Sequence, residues 1–251
     1  MRSFEDLLTQ AQDADITGWD FTWLNGRATE ERPPWGYTRH LQTWYANTPS
    51  ALDLDTGGGE IIATMPVLPA RMAVTEAWGP NVLRSQATLA PRGVTVIQAS
   101  TDRLPFADAS FDLVTSRHPI KPAWSQIARV LSDGGTYFAQ HVGPASAFEL
   151  IEVFLGPLPR THTTRDPQTE TKDATAAGLN ITSVQTARCR LQFHDIGAVV
   201  WILRKCVWWV PDFSIDRYTP QLRALDASMR AGQPFVAHSS RTLIQAHRTA
   251  R

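Results

Sequence analysis

LDLDTGGGE, residues 52–60, reads as a strand that runs into a glycine loop. The apolar run SALDLD (50–55) supplies the strand, and Thr56 leads into Gly57, Gly58 and Gly59. Glycines at such a place let the backbone approach a ligand closely and accept left-handed torsions. A helix starting after the loop would add unpaired N–H groups. A second apolar run, RMAVTEA (71–77), ends in Glu76. An acid at the end of the second strand, about 20 residues on, typically accepts hydrogen bonds from ribose hydroxyls. Loop and acid together, on consecutive parallel strands, point to a nucleotide-like ligand.

The pattern continues outward. GPNVLRSQATLAPRG (79–93) has helical spacing with a Pro and Gly stop. VTVIQA (94–99) and FDLVTS (111–116) read as strands, WSQIARVLSDGG (124–135) as a helix with a glycine stop, and TYFAQHV (136–142) as a strand. Strand and helix in alternation imply an α/β fold, doubly wound, with a mostly parallel sheet covered on both faces. Right-handed crossovers put the loops after the strands along one edge, where ligands bind in open sheets. Further on, LPRTHTTRDPQTETKD (158–173) reads as an exposed polar loop. NITSVQTARCRLQF (180–193) reads as a strand, and DIGAVVWILRKCVWWV (195–210) as an apolar helix with Asp195 as its N-cap. RYTPQLRALDASMRAG (217–232) is an amphipathic helix, and FVAHSSRTLIQAHR (235–248) a last strand.

Bulk properties narrow the classes. The 251 residues are 43% hydrophobic, enough for a generous core. Lys plus Arg and Asp plus Glu are both 24, so no charge excess favours a nucleic acid or an anionic membrane. The two cysteines, Cys189 and Cys206, have no metal-ligand spacing, which disfavours a disulfide framework and a metal site. The polar N-terminus is unlike a signal peptide, and no apolar run approaches the ~20 residues of a membrane span. The expected setting is the cytoplasm.

Four segments carry a family resemblance: LDLDTGGGE, VTEAWGPNVL, DRLPFADASFDLVTSRH and IARVLSDGGTYFAQHVG. Together they resemble the class I S-adenosylmethionine-dependent methyltransferases over about residues 50–143. The resemblance implies a seven-stranded sheet with an antiparallel last strand, in a single domain over 1–251. Its parts would be an aromatic-rich helical cap (1–48), a Rossmann-like core (49–193), a helical insertion (194–232) and the last strand (233–251). Asp53 and Gly57 to Gly59 would line the methionine half of S-adenosylmethionine, Glu76 would hold the ribose, and Ala77 and Trp78 would flank the adenine. Two positions depart from the family pattern. Asp55 stands where the first motif has glycine, and Ser100 where the third motif has an adenine-binding Asp, with Thr101 and Asp102 as nearby substitutes. Asp55 can repel the cofactor's carboxylate or attract its ammonium or sulfonium.

Methyl transfer needs alignment above all, and a base only for a protonated acceptor. The candidate bases are His118 and His141, after the fourth and fifth strands, with Asp55 a third catalytic candidate. Each histidine also has a structural reading. Trp23, Trp35 and Tyr37 belong to an aromatic cluster that either walls an organic ligand or pins the N-terminal segment. Glu30, Glu31 and Arg117 are substrate candidates for charged groups, with solvated surface as the plainer reading. The leading expectation is S-adenosylmethionine-dependent methyl transfer to a small organic molecule in bacterial secondary metabolism. Asp55 and Ser100 motivate a second reading, an enzyme of this fold that closes a ring without methyl transfer. A third is a non-catalytic partner subunit, and the expected partners are a small-molecule substrate and either a second copy or a partner subunit. Nucleic acid, membrane and metal are not expected partners.

Overall fold

The computed structural model describes residues 2–159 and 165–249. The chain divides into two compact units. One comprises 33–144, 163–187 and 241–251; the other comprises 1–32, 145–162 and 188–240. The expected cap and core therefore do not follow the unit boundaries, since the cap splits at residue 32.

The first of these units holds the sheet that positions the site. Strands β2 (Ser50–Leu54), β3 (Arg71–Glu76), β4 (Thr95–Gln98), β5 (Phe111–Arg117) and β6 (Leu131–Val142) are joined in parallel in the order β6-β5-β2-β3-β4. Strand β8 (Phe235–Arg248) lies antiparallel to β6, and β7 (Leu179–Phe193) flanks β8. Numbered along the chain from β2, the order is 3-2-1-4-5-7-6. The chain order reverses between β2 and β5, so the crevice beyond their C-terminal ends is where such a sheet takes a ligand. An eighth strand, β1 (Ala28–Glu30), pairs antiparallel with the end of β7 in the other unit, one more than the expected seven.

Alternation along the strands explains the two-sided core. Leu52, Val114, Tyr137 and Ala139 are buried on one face with Trp124, Ile127 and Val130 of α5 (Trp124–Val130). Ala51, Leu113 and Phe138 are buried on the other with Leu41 and Tyr45 of α2 (Tyr37–Ala46). The larger aliphatic and phenylalanine side chains among these contribute about 1.5–3 kcal/mol each on burial.

Three local expectations are corrected. The helix read over 124–135 ends at Val130, because Leu131 is already extended and opens β6 opposite Phe111. The helix after the glycine loop, α3 (Glu60–Ala63), is a single turn. Pro66 cannot continue it, and the Arg92 guanidinium takes its last carbonyls, donating to Ile62, Ala63 and Met65. The stretch read as a loop over 158–173 contains α7 (Pro167–Ala176), started by an Asp166 cap on the Thr169 N–H and by Pro167 at its first position. Residues 160–164 of that stretch lie outside the described residues.

The other unit has a separate core. In it α1 (Phe4–Asp13), α6 (Phe148–Leu155), α8 (Ile196–Lys205) and α9 (Ile215–Arg230) bury a cluster that includes Trp201 and Leu203. Asp195 caps α8 through the Ala198 N–H, as its sequence position implies. Among the described residues no helix is long and apolar enough to cross a membrane.

Candidate active site

The glycine loop follows β2 at the switch point. Gly57, Gly58 and Gly59 are buried, and Gly57 and Gly59 have φ of +64° and +82°. A Cβ on Gly59 would meet the Leu89 side chain at 2.7 Å, so the loop is seated tightly on α4 (Gly79–Leu89). Glu76 pins it from the next strand: Gly57 N–H donates to Oε2 at 2.9 Å and Trp78 N–H to Oε1 at 2.8 Å. Each oxygen keeps a second lone pair, so Glu76 holds the loop and can still accept from a ligand hydroxyl. Ala77 and Trp78 are exposed beside it, and the Gln98 amide donates to Ala77 O at 3.2 Å.

Asp55 takes a left-handed backbone, φ +54°, at the position where the family has glycine. Aspartate tolerates this region better than most residues. Burial raises its carboxyl to about 6, helped by the charges of Glu76 and Asp102. Asp53, fully buried behind it, is also raised to about 6, mainly by burial, while a 2.6 Å bond from the Thr115 hydroxyl opposes the rise. Tyr45 stands 2.7 Å from that hydroxyl. Ser100 opens a turn in which Arg103 N–H donates to its carbonyl. Ser100 and Asp102 are exposed, and Thr101 is half-buried. The mouth of the loop is thus lined with carboxylates, a donor set matched to a cationic ligand bearing hydroxyls.

On the far side of β5, His118 also has a left-handed backbone, φ +61°, with its N–H donating to Gln140 O at 2.7 Å. Trp35 Nε1–H donates to Gln140 Oε1 at 2.8 Å. An indole nitrogen only donates, so this bond orients the amide and turns Gln140 Nε2–H toward His118 Nε2 at 3.0 Å. His118 Nε2 therefore accepts, and the ring is neutral with its proton on Nδ1. Burial holds its pKa well below the usual range, reinforced by Arg117, Arg241, His141 and Arg165. Tyr37 stacks on Phe138 and donates to Ser116 O at 3.0 Å.

His141 is placed differently. It is buried, with Nδ1 2.9 Å from Glu170 Oε2 and Nε2 2.9 Å from the Tyr137 hydroxyl. Burial, with the Glu170 charge, pushes Tyr137 well above the ordinary phenol range, so that hydroxyl keeps its proton. Neither nitrogen of His141 is left open to an acceptor. A cavity of about 200 Å³ bordered by Arg71, Phe106 and Phe111 lies at the opposite, N-terminal ends of the strands.

Residues 52–139, the whole glycine-loop half of this arrangement, match the family model for the methyltransferase domain. This stretch is similar to a methyltransferase domain, and the sheet that carries it has the class I methyltransferase fold. Solved structures share the fold at low identity. The YcgJ protein of Bacillus subtilis aligns at TM-score 0.62 and 18% identity, over 86% of this chain and 99% of that one. An S-adenosylmethionine-dependent methyltransferase of Mesorhizobium loti aligns at 0.52 and 16%, over 85% and 97%. The [4+2]-cyclase SpnF aligns at 0.53 and 15%, over 85% and 80%. No curated protein matches the chain.

Within this methyltransferase fold, the expected cofactor residues lie at the ends of β2 and β3 and in the turn after β4, while Arg117 ends β5, His118 follows it, and Trp35 and Tyr37, before and in α2, reach Gln140 and Ser116. The remaining substrate candidates belong to the other unit. Trp23 stacks on Trp201 at 5.5 Å with the Arg27 guanidinium over it, Glu30 Oε1 accepts from Ser239, and Glu31 Oε2 accepts from Arg190 N–H. Four residues missed in the sequence matter here: Gln140, Glu170, Arg165 and Arg241. Gln140 and Arg241 sit inside strand patterns, and Arg165 and Glu170 lie within the stretch read as a loop.

Proposed function

We propose that this chain is an S-adenosylmethionine-dependent methyltransferase acting on a small organic molecule. The observation that carries the reading is the glycine loop with two left-handed glycines, bound through Gly57 N–H to Glu76 at the sheet's switch point. The donor set fits the cofactor. Glu76 retains acceptor capacity for ribose hydroxyls, the buried glycines leave room for close approach, and Asp53 and Asp55 suit an ammonium or a sulfonium. Bound there, the cofactor supplies an electrophilic methyl group. The residues of the chain align and shield. Exposed Trp78 and Ala77 offer an apolar edge for the adenine, with Ser100, Thr101 and Asp102 as its polar border. His118 presents a neutral imidazole whose Nδ1–H orients the acceptor and whose Nε2 takes a proton when the acceptor carries one and Gln140 yields. His141 supports this side of the sheet through Glu170 and Tyr137.

The second reading, ring closure on the same fold without methyl transfer, is favoured by one feature. Asp55 puts a carboxylate where the cofactor's own carboxylate would come near, at about 4 kcal/mol for contact charges before solvation. The likeness to a cyclase adds only that the fold is compatible. A crystal soaked with S-adenosylmethionine separates the readings. Density for the cofactor over Gly57 to Gly59 is expected, whereas a bare loop after full soaking would leave ring closure as the better account.

A further inference from the structure

The cavity of about 200 Å³ at the N-terminal ends of β3, β4 and β5 has Arg71, Ala73, Thr95, Phe106, Ser110 and Phe111 on its walls. All six belong to the sheet unit. Arg71 opens β3 and Glu76 closes it. At about 3.3 Å per residue along a strand, the cavity lies about 16 Å from the acid that pins the glycine loop. It is therefore separate from the cofactor edge. Ala73 is in register with Thr95 of β4, so both side chains leave the same face of the sheet. Phe111 reaches that face through an irregularity. In a regular strand residues 111 and 113 share a face. Leu113 is buried on the α2 side, yet Phe111 is buried with Ala73 on the α5 side, and the register shifts between Phe111 and Leu113. The turn before it is also unusual. Ala109 takes a left-handed backbone, φ +53°, with no polar side-chain atom to favour it. Its N–H donates to Arg129 O at 2.9 Å, and Ser110 N–H donates to Val130 O at 2.8 Å.

Bulges and left-handed residues other than glycine accumulate where a side chain is re-aimed for a ligand. Here both act on one wall of one cavity. Phe111 meets Phe106 edge to face at 4.9 Å. The Arg71 guanidinium lies over the Phe111 ring at 5.5 Å and donates to the Ser110 carbonyl. These two contacts hold the guanidinium at the cavity and leave it N–H donors to spare. Among the described residues no carboxylate pairs with it. The acids flanking this wall in sequence are engaged, Asp108 with Arg129 and Asp112 with the hydroxyls of Ser50 and Ser132. Arg71 and Thr95 are exposed, so the cavity opens to solvent beside them.

We propose that this cavity is a second ligand site, which takes a small aromatic carboxylate with its ring against Phe106, Phe111 and Ala73 and its carboxylate on Arg71. An apolar cavity of about 150 Å³ holds a benzene ring, so this one has room for a ring with one small substituent. The planar guanidinium matches a carboxylate in geometry and charge. An inorganic anion would leave the apolar wall unused, and an uncharged ring would leave Arg71 unused. The site goes beyond the methyl transfer proposed above and does not depend on it.

The test is a titration of the isotope-labelled full chain with benzoate, with uncharged benzamide and inorganic phosphate in parallel. The amide resonances of Ala73 and Thr95 report on the cavity, and those of Gly57 to Gly59 report on the cofactor edge. Benzoate should shift Ala73 and Thr95 saturably and leave the glycines in place. It should bind more tightly than benzamide or phosphate. Its affinity should fall about tenfold in Arg71→Gln, which removes the charge-assisted hydrogen bonds. It should fall at least as far in Thr95→Phe, which fills the cavity from an exposed position, and stay unchanged in Arg84→Gln on the exposed side of α4. Absence of saturation with benzoate, equal affinity for benzamide, tighter binding of phosphate, or unaltered affinity in Arg71→Gln overturns the site. Shifts confined to Gly57 to Gly59 overturn it as well, because they put benzoate at the cofactor edge.

Discussion

Asp55 concentrates two costs in one residue: a left-handed backbone and a carboxylate whose proton leaves at about pH 6 in place of 3.8. A carboxyl raised in this way binds its proton more tightly in the folded state. Its contribution to stability is complete below about pH 3.8 and is lost as the pH rises through 6. Asp55→Asn removes the charge and keeps a residue that tolerates the left-handed region, so it should stabilise the ligand-free protein by about 1–3 kcal/mol at pH 7 and by little at pH 4. Asp55→Gly should add about 1 kcal/mol by relieving the backbone. Denaturant midpoints at the two pH values measure this, and a variant no more stable than the wild type at pH 7 contradicts it.

His118 carries the opposite sign. Its pKa is held low, so its neutral form persists below pH 6.5, and a rate that needs neutral His118 should show no limb there. Turnover in His118→Ala should fall about 100-fold through lost alignment. An undiminished His118→Ala rate would remove His118 from the site.

At the scale of elements, α7 decides the fate of His141. The helix was hidden because its sequence is polar and Thr-rich, and its burial is confined to two residues, Glu170 and Ala174. Asp166-Pro167 was a legible start signal outweighed by composition. Once the helix forms, Glu170 reaches a buried histidine, and the nominal base becomes a strut. Glu170→Ala should destabilise the protein by about 2–4 kcal/mol, since it leaves a buried ring nitrogen unpaired, while Glu170→Gln should recover part of the loss. Thermal melts report both. A melt for Glu170→Ala that matches the wild type would return His141 to the list of open bases. The glycine loop and the acid of β3 were legible because each depends on local chemistry. Gln140, Arg165 and Arg241 were not, since their meaning comes from strand register and from a helix placed far along the chain.

At the scale of the molecule, a mostly parallel sheet with an antiparallel last strand was expected from alternating apolar runs and the family motifs, and β8 runs antiparallel to β6 as that last strand should, within the observed order 3-2-1-4-5-7-6. The division into two units was not visible. The chain passes between them five times, at boundaries such as 32–33 and 187–188, and the last two fall inside continuous strands that carry no Gly or Pro. Trp23, Glu30 and Glu31 were grouped with Trp35 and Tyr37 by proximity in sequence, yet they belong to the unit with its own Trp201-centred core.

The central claim is that the loop of 55–59, with Glu76, holds S-adenosylmethionine by its positive charge as well as by its shape. Calorimetric titration of the wild-type chain with S-adenosylmethionine and with neutral-sulfur S-adenosylhomocysteine tests it most directly. Micromolar binding of S-adenosylmethionine is predicted, tighter than that of S-adenosylhomocysteine, with the difference reduced in Asp55→Asn and binding lost in Glu76→Ala. Absence of binding by the wild type, with binding gained in Asp55→Gly/Ser100→Asp, would contradict the account.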